Sequence, residues 1–169
     1  MNTINQAIIT LGGKGLRLKS ITKGIPKPLY CIDGLSVLER AIGVLKNQGI
    51  TKFIFFINFK PELFYKEIKI LTKKYSIEIE IILEKEPMGE AGSIFDCISN
   101  LDKEFLFLNS NIIFDIDLEK FKNYHFSKKS DLTIMTHLTN HPQDSDCIVE
   151  SPALSISEYK LKNQLNYKN

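Results

Sequence analysis

Strand patterns alternate with helix patterns along this chain, and this alternation restricts the fold more than any other feature. The strand patterns are apolar runs or apolar–polar alternations at residues 7–11, 52–58, 77–81, 105–108 and 131–137. Apolar side chains at helical spacing fall at residues 35–48, 61–74 and 90–98. A helix between two strands lets them run parallel and covers one face of the sheet. We therefore predict a layered α/β domain with a mostly parallel sheet.

The composition is that of one folded domain without a strongly charged surface. The 169 residues are 43% hydrophobic and 25% charged, and 22 basic against 20 acidic side chains leave a formal charge of +2. Such a chain lacks the bulk positive charge typical of nucleic-acid binding, so we expect no nucleic-acid partner. Its longest apolar stretch, residues 53–57, is far shorter than the roughly 20 residues that cross a bilayer. We expect no membrane partner either.

Cysteine usage and the N-terminal sequence favour a cytoplasmic location. Cys31, Cys97 and Cys147 are scattered, without the spacing of a disulfide framework or of a metal site. The first residues also lack the charged, apolar and small-residue order of a signal peptide. A reducing compartment is the simplest expectation.

A glycine-rich turn follows the first strand pattern directly. It covers residues 11–18, LGGKGLRL, and residues 25–29, IPKPL, come shortly after it. Glycines at the end of a strand let backbone N–H groups approach a phosphate or a base without a side chain in the way. Arg17 and Lys27 add positive charge beside the turn. This layout indicates a nucleotide site, and a loop that merely turns the chain is the alternative.

Two better-known glycine motifs do not fit this turn. The phosphate-binding P-loop needs Ser or Thr after its lysine, whereas Gly15 follows Lys14. The dinucleotide-binding fingerprint needs a third glycine at the position of Leu18. The turn therefore belongs to neither class.

Two further segments of interest also follow strand patterns. Residues 84–92 come after the alternating strand, and residues 109–111 come after the run at 105–108. In parallel sheets, ligands bind beyond the carboxyl ends of the strands. We therefore expect both segments to meet the glycine turn at one edge of the sheet.

At these residues the chain resembles the sugar-1-phosphate nucleotidyltransferases. Their signature, Gly-Gly-x-Gly-x-Arg-Leu followed by Pro-Lys-Pro and Leu or Met, matches residues 12–18 and 26–29. Residues 84–92 are similar to a second family segment, Glu-x-x-Pro-Leu-Gly-Thr-x-Gly. The resemblance spans roughly residues 6–150. It is strongest toward guanylyltransferases of heptose or mannose 1-phosphates, and residues 141–146 are similar to a tract of the heptose-type branch.

The resemblance implies a Rossmann-like, GT-A-like three-layer fold and a Mg²⁺-dependent reaction in nucleotide-sugar biosynthesis. An oxygen of a sugar 1-phosphate attacks the α-phosphorus of a nucleoside triphosphate, with GTP favoured, and pyrophosphate leaves. In such a reaction the protein mainly positions the two substrates and neutralises the negative charge of their phosphates. The implied partners are the nucleoside triphosphate and a sugar 1-phosphate of heptose or mannose type, and homo-oligomerisation is left open.

The resemblance also assigns roles to individual residues. Arg17 would hold the departing β- and γ-phosphates, and Lys27 would lie over the α-phosphate or the attacking sugar phosphate. The nucleotide-binding positions that it implies are Leu11, Gly12, Gly13, Gly15, Glu84, Pro87 and Gly89.

Glu84 carries a hypothesis about the base. Guanine presents two adjacent donors, N1–H and the N2 amine, and an ionised carboxylate accepts only, so it can take both hydrogen bonds. Glu84 would then select guanine, with Pro87 and Gly89 shaping the slot. The alternative is a surface glutamate that faces water, as Glu78 and Glu80 do.

One departure from the family pattern concerns the metal. The family strand that corresponds to residues 105–108 ends in a Gly-Asp pair whose carboxylate binds Mg²⁺, whereas this chain has Ser110 and Asn111. Asparagine keeps an acceptor oxygen and loses the charge that a hard cation prefers. Asp115 and Asp117 lie nearby in sequence, although an acidic cluster at a helix N-terminus is the favoured interpretation of them.

Other departures point the same way. Glu90 adds an anion where the family has a small threonine, and residues 151–169 hold no recognisable sugar-binding region. We therefore expect a nucleotide-binding domain over residues 1–150, incomplete relative to the family, and a frayed helix or tail over 151–169. A truncated, catalytically weak or inactive nucleotide-binding module is the alternative function.

Two alternative sites near residue 140 are disfavoured. His137, His141, Asp144 and Asp146 suggest a metal cluster, but Pro142 argues against a shared helical face. The Asp-x-Asp sequence at 144–146 matches a glycosyltransferase metal-binding motif, but that motif is expected after a central strand, earlier in the chain.

Overall fold

The computed structural model describes residues 3–13, 15, 18–86, 88, 89, 91–138 and 146–161. The chain divides into two compact units, Met1–Ser130 and Asp131–Asn169. Each unit is described by itself below. The predicted domain over residues 1–150 and tail over 151–169 stay predictions.

A four-stranded parallel sheet organises the first unit. Its strands are β1 (Gln6–Thr10), β4 (Lys52–Ile57), β5 (Glu78–Leu83) and β6 (Leu106–Asn109). They stand in the order β5-β4-β1-β6, and every neighbouring pair is parallel. The short strands β2 (Cys31–Ile32) and β3 (Leu35–Ser36) form a separate antiparallel pair. The predicted α/β class with a mostly parallel sheet is confirmed.

Four α-helices are described: α1 (Lys19–Thr22), α2 (Val37–Asn47), α3 (Pro61–Tyr75) and α4 (Leu118–Lys128). Local chemistry favours the start of α2 and α3. The Ser36 hydroxyl accepts the Glu39 N–H and so caps α2, while α3 has a proline at its first position. Lys27–Leu29 and Gly92–Asn100 are 3-10 helices.

Side chains of the sheet alternate between two apolar layers. Ala7 and Ile9 pack in the larger core with side chains of α2, α3 and α4, whereas Ile8 packs in a smaller core with Cys97. Successive residues of a strand face opposite sides, so the sheet is covered on both faces. The result is the three-layer arrangement. Burial raises the pKa of the Cys97 thiol, which leaves it a neutral core side chain.

The second unit contains an antiparallel hairpin of β7 (Cys147–Glu150) and β8 (Ile156–Lys160). β8 lies within the segment expected to be a frayed helix or tail, and residues 156–160 form a strand there rather than a helix. The strand predicted at 131–137 is wrong, because residues 132–138 have no regular secondary structure. Leu132 is 72% exposed, so its apolar side chain lacks the buried face that would hold a strand.

No helix among the described residues is both long enough and apolar enough to pass through a bilayer.

Candidate functional site

Three residues form one row just beyond the carboxyl ends of three neighbouring strands. Gln6 pairs with Lys52, and Lys52 pairs with Glu78. Continued past the strand ends, the same register places Gly12, Asn58 and Glu84 side by side. Two backbone hydrogen bonds extend the ladder to this edge, from the Leu11 N–H to the Phe56 carbonyl at 2.7 Å and from the Glu84 N–H to the Ile57 carbonyl at 3.0 Å. Registered residues of parallel strands face the same side of the sheet, so the row presents one surface.

The turn after β1 needs glycine for two different physical reasons. Gly13 and Gly15 have φ of 128° and 57°, a region that other residues seldom adopt. At Gly12 the reason is space, since a Cβ there would lie 2.8 Å from Asn58 Nδ2. Leu11 differs from these glycines. Its side chain is buried and its N–H is bonded within the sheet, so it holds the turn in place.

Lys27 lies against the glycine turn. A Cβ on Gly15 would come within 3.1 Å of Lys27 Cγ, so the lysine stem runs along this glycine. The 3-10 helix Lys27–Leu29 follows Pro26, and both Pro26 and Pro28 are buried while Lys27 is half-buried. The Lys27 side chain is therefore not fully surrounded by water. Arg17 and Lys14, predicted for the same turn, lie outside the described residues.

A second lysine ties this segment to the end of β4. Lys60 Nζ donates to the Gly24 carbonyl at 2.9 Å and lies 5.4 Å from the centre of the Phe59 ring. Lys60 itself has φ of 51° directly before α3. Sequence reasoning missed this link, and the only available signal was a cation close to the end of a buried strand.

Glu84 is anchored by a buried serine. Its Oε1 accepts a hydrogen bond from the hydroxyl of Ser93, which is 1% exposed. Glu84 is half-buried, unlike the exposed Glu78 and Glu80. The row therefore contains a fixed carboxylate rather than a freely solvated one. Sequence reasoning named Glu84 and missed Ser93, which lies nine residues later on the other side of a turn.

Two glycines shape the described part of the segment between Glu84 and Ser93. Gly89 has φ of 78°. A Cβ on Gly92 would lie 2.7 Å from Met88 Cβ, so the chain closes on itself only with glycine at this position. Pro87 and Glu90, two other predicted features of this segment, lie outside the described residues.

The end of β6 brings amide groups to the same edge. Thr10 Oγ1 donates to Asn109 Oδ1 at 2.7 Å, and the Ser110 N–H donates to the Thr10 carbonyl at 3.2 Å. Ser110 is buried and the next residue, Asn111, is exposed. The segment 109–111 thus lies at the carboxyl end of β6, next to the end of β1, as expected from the sequence.

Asp117 serves the helix rather than the site. Its carboxylate accepts the Lys120 N–H at 3.0 Å and caps α4, and these hydrogen bonds lower the pKa of Asp117. Its interpretation as part of a helix N-terminus is confirmed. Asp115 is exposed.

The residues here do not fit a carboxylate-rich magnesium site. Within the described parts of the chain, no group of three or more His, Cys, Asp or Glu side chains is placed to hold a metal ion. At the end of β6 the protein offers the neutral amide of Asn111. In the disfavoured cluster, Asp146 accepts the Tyr159 hydroxyl at 2.6 Å, and residues 139–145, with His141, Asp144 and the heptose-like tract, lie outside the described residues.

Together these groups suit a nucleotide. The edge holds a glycine turn for close approach, the ammonium of Lys27 for phosphate, and an amide beside a carboxylate for a base. Among the predicted residues, Gly15 contacts Lys27, and the strand register places Gly12 and Glu84 in the same row.

Comparison with known proteins identifies the family of this chain. The family model for nucleotidyl transferases matches residues 6–147. A D-glycero-alpha-D-manno-heptose 1-phosphate guanylyltransferase of Campylobacter jejuni is 41% identical over 117 residues, which is 69% of this chain and 52% of that protein. A mannose-1-phosphate guanyltransferase of Emericella nidulans is 28% identical over 163 residues, covering 87% of this chain and 45% of that protein.

A solved structure shares the fold. HddC from Yersinia pseudotuberculosis, in a complex with GMP-PN, superimposes with a TM-score of 0.78 at 24% identity, over 94% of this chain and 69% of that one. The chain spans about half the length of the two curated relatives named above, 52% of the Campylobacter protein and 45% of the Emericella protein. With the family match, the parallel sheet and the edge described above, this chain belongs to the nucleotidyl transferase family.

Proposed function

We propose that this chain binds GTP and takes part in joining its guanylyl group to a sugar 1-phosphate. The observation that carries the proposal is the row Gly12, Asn58 and Glu84 at the carboxyl edge of the sheet, with Lys27 against the adjoining turn. The heptose- or mannose-type sugar is proposed from the names of the relatives, which act on those sugar phosphates.

The reaction is a displacement at phosphorus. An oxygen of the sugar 1-phosphate forms a bond to the α-phosphorus, the bond from that phosphorus to the oxygen bridging to the β-phosphorus breaks, and pyrophosphate leaves with that oxygen. Lys27 would neutralise charge where the two phosphates meet. A positioned cation in a partly dehydrated site stabilises developing charge more than one in water does. The Glu84 carboxylate would accept the two donors of guanine.

A second candidate function is a nucleotide-binding module with weak catalysis. Asn111 favours it, because it brings no negative charge to the end of β6. Since the described residues offer no carboxylate cluster, a Mg²⁺ ion that accompanies the nucleotide would be held chiefly by its phosphates.

Titration calorimetry followed by a pyrophosphate-release assay tests the proposal. GTP and UTP are titrated separately, and release is then measured with GTP, Mg²⁺ and either heptose 1-phosphate or mannose 1-phosphate. GTP binding with sugar-dependent release supports the transferase. GTP binding without release supports the second candidate, and absence of GTP binding contradicts both.

Replacing Asn111 by aspartate tests its place beside the nucleotide. With Mg²⁺ present, we expect Asn111→Asp to tighten GTP binding about tenfold or more, since changes around metal sites typically alter affinity about 10–100-fold. With EDTA, the added charge should weaken GTP binding through repulsion of the phosphates. Asn123→Asp adds the same charge on an exposed position of α4 and should change neither value. Equal behaviour of the two variants would contradict a position of Asn111 at the site.

A further inference from the structure

The end of β4 presents an amide that the sequence patterns did not single out. Asn58 follows the buried run Phe53–Ile57 and is half-buried. Its Nδ2 and Oδ1 lie 2.8 Å and 3.0 Å from where a Gly12 Cβ would stand, so the amide rests against this glycine. No described residue forms a hydrogen bond with it. The amide therefore has both a donor and an acceptor to offer to a ligand.

Asn58 stands next to the fixed carboxylate of the row. Its register partner on β5 is Glu84, which follows from the pairing of Ile57 with Leu83. Neighbouring strands are about 4.8 Å apart, which is comparable to the width of a purine's hydrogen-bonding edge. Ser93 holds the Glu84 carboxylate on one side, so its free lone pairs and the Asn58 amide can be reached by one planar ligand.

The hydrogen-bonding edge of guanine has the matching order of groups. It presents the O6 acceptor, then the N1–H donor and then the N2 amine donors. An amide donor beside an acceptor-only carboxylate complements that order. Uracil and thymine place a single donor between two acceptors, and adenine presents its amine where guanine has O6. Glu84 alone separates guanine from the pyrimidines, whereas the separation of guanine from adenine needs a donor facing position 6.

We propose that Asn58 is a specificity-determining residue, whose Nδ2 donates to guanine O6 while Glu84 accepts from N1–H and N2. This inference rests on the proposed function, because it assumes that the row binds the base of GTP. Gly12 is then required because a side chain there would take the space that the Asn58 amide occupies.

Two variants and two nucleotide analogues test this role by calorimetry on the full chain. Asn58→Ala removes the donor, and Asn58→Asp replaces it with an acceptor of nearly the same shape. We expect Asn58→Ala to weaken GTP binding about tenfold, as loss of a hydrogen bond of ordinary strength does. Asn58→Asp should weaken it further, because its carboxylate would face O6. Asn123→Ala, on the exposed side of α4, is the control and should bind GTP as the unchanged chain does.

The analogues separate the two ends of the base. 6-Thio-GTP keeps both guanine donors and replaces O6 with sulfur, a weak acceptor, whereas ITP keeps O6 and N1–H and lacks the N2 amine. The unchanged chain should bind both more weakly than GTP. Asn58→Ala should bind 6-thio-GTP and GTP alike and still discriminate against ITP. Melting temperatures without nucleotide verify that each variant folds.

The outcomes distinguish this inference from the proposed function. If the unchanged chain does not bind GTP, the proposed function itself fails. If it binds GTP and Asn58→Ala retains the full preference for GTP over 6-thio-GTP, the role of Asn58 is overturned while GTP binding stands. Loss of that preference, with discrimination against ITP retained, supports the role.

Discussion

Replacing Lys27 by glutamine should lower the rate of pyrophosphate release about 100- to 1000-fold, the usual cost of removing one donor that stabilises transition-state charge. GTP affinity should also fall about tenfold or more, because hydrogen bonds to charged groups contribute about 1.5–3 kcal/mol. The reason is position. The Lys27 stem runs along Gly15, so its ammonium is held near the turn where the phosphates would lie. Release is followed with a coupled assay and binding by calorimetry.

Lys23→Gln provides the matched control for this change. Lys23 lies four residues earlier in the same connection and is exposed. The control removes the same charge from the same segment and should leave rate and affinity within about twofold of the unchanged chain. If Lys27→Gln behaved like Lys23→Gln in the binding experiment, Lys27 would have no role at the phosphates.

Replacing Glu84 by glutamine should abolish the preference for guanine. Glutamine keeps one acceptor oxygen, which Ser93 can still reach, but its amide nitrogen now meets the donors of the base. We expect GTP affinity to fall about 10- to 100-fold, since the change leaves donors unpaired at a half-buried position. UTP affinity should stay nearly constant, so the ratio of the two affinities is the quantity to measure.

Glu78→Gln is the control for Glu84→Gln. Glu78 begins the same strand, is exposed, and lies at the opposite end of it from the site. The control should keep the GTP to UTP ratio of the unchanged chain. A Glu84 variant that kept the same ratio would show that this carboxylate does not read the base, and base selection would have to come from elsewhere in the chain.

Local patterns predicted most of the first unit well. The apolar runs at 7–11, 52–58 and 105–108 became strands because each is bounded by turn chemistry and both of its faces find cover. The run at 131–137 has a similar pattern, but residues 132–138 have no regular secondary structure and Leu132, Ile134 and Met135 are exposed. An apolar run therefore specifies a buried strand only when the rest of the fold covers its faces, and that cover is not encoded in the run itself.

The candidate site was predicted in part, for a related reason. Gly12, Lys27 and Glu84 were named from motif and resemblance, because each belongs to a recognisable segment. Asn58, Lys60 and Ser93 belong to no motif. Their roles depend on contacts with Gly12, Gly24 and Glu84, which are up to 46 residues away in the sequence. These contacts form only once the sheet is assembled.

A crystal structure of the chain with bound GTP would test the central claim most directly. We predict that guanine lies over the row Gly12, Asn58 and Glu84, with the Glu84 carboxylate on N1–H and N2 and the triphosphate along the turn toward Lys27 Nζ. A nucleotide bound away from the carboxyl edge of the sheet, or a triphosphate out of reach of Lys27, would contradict it.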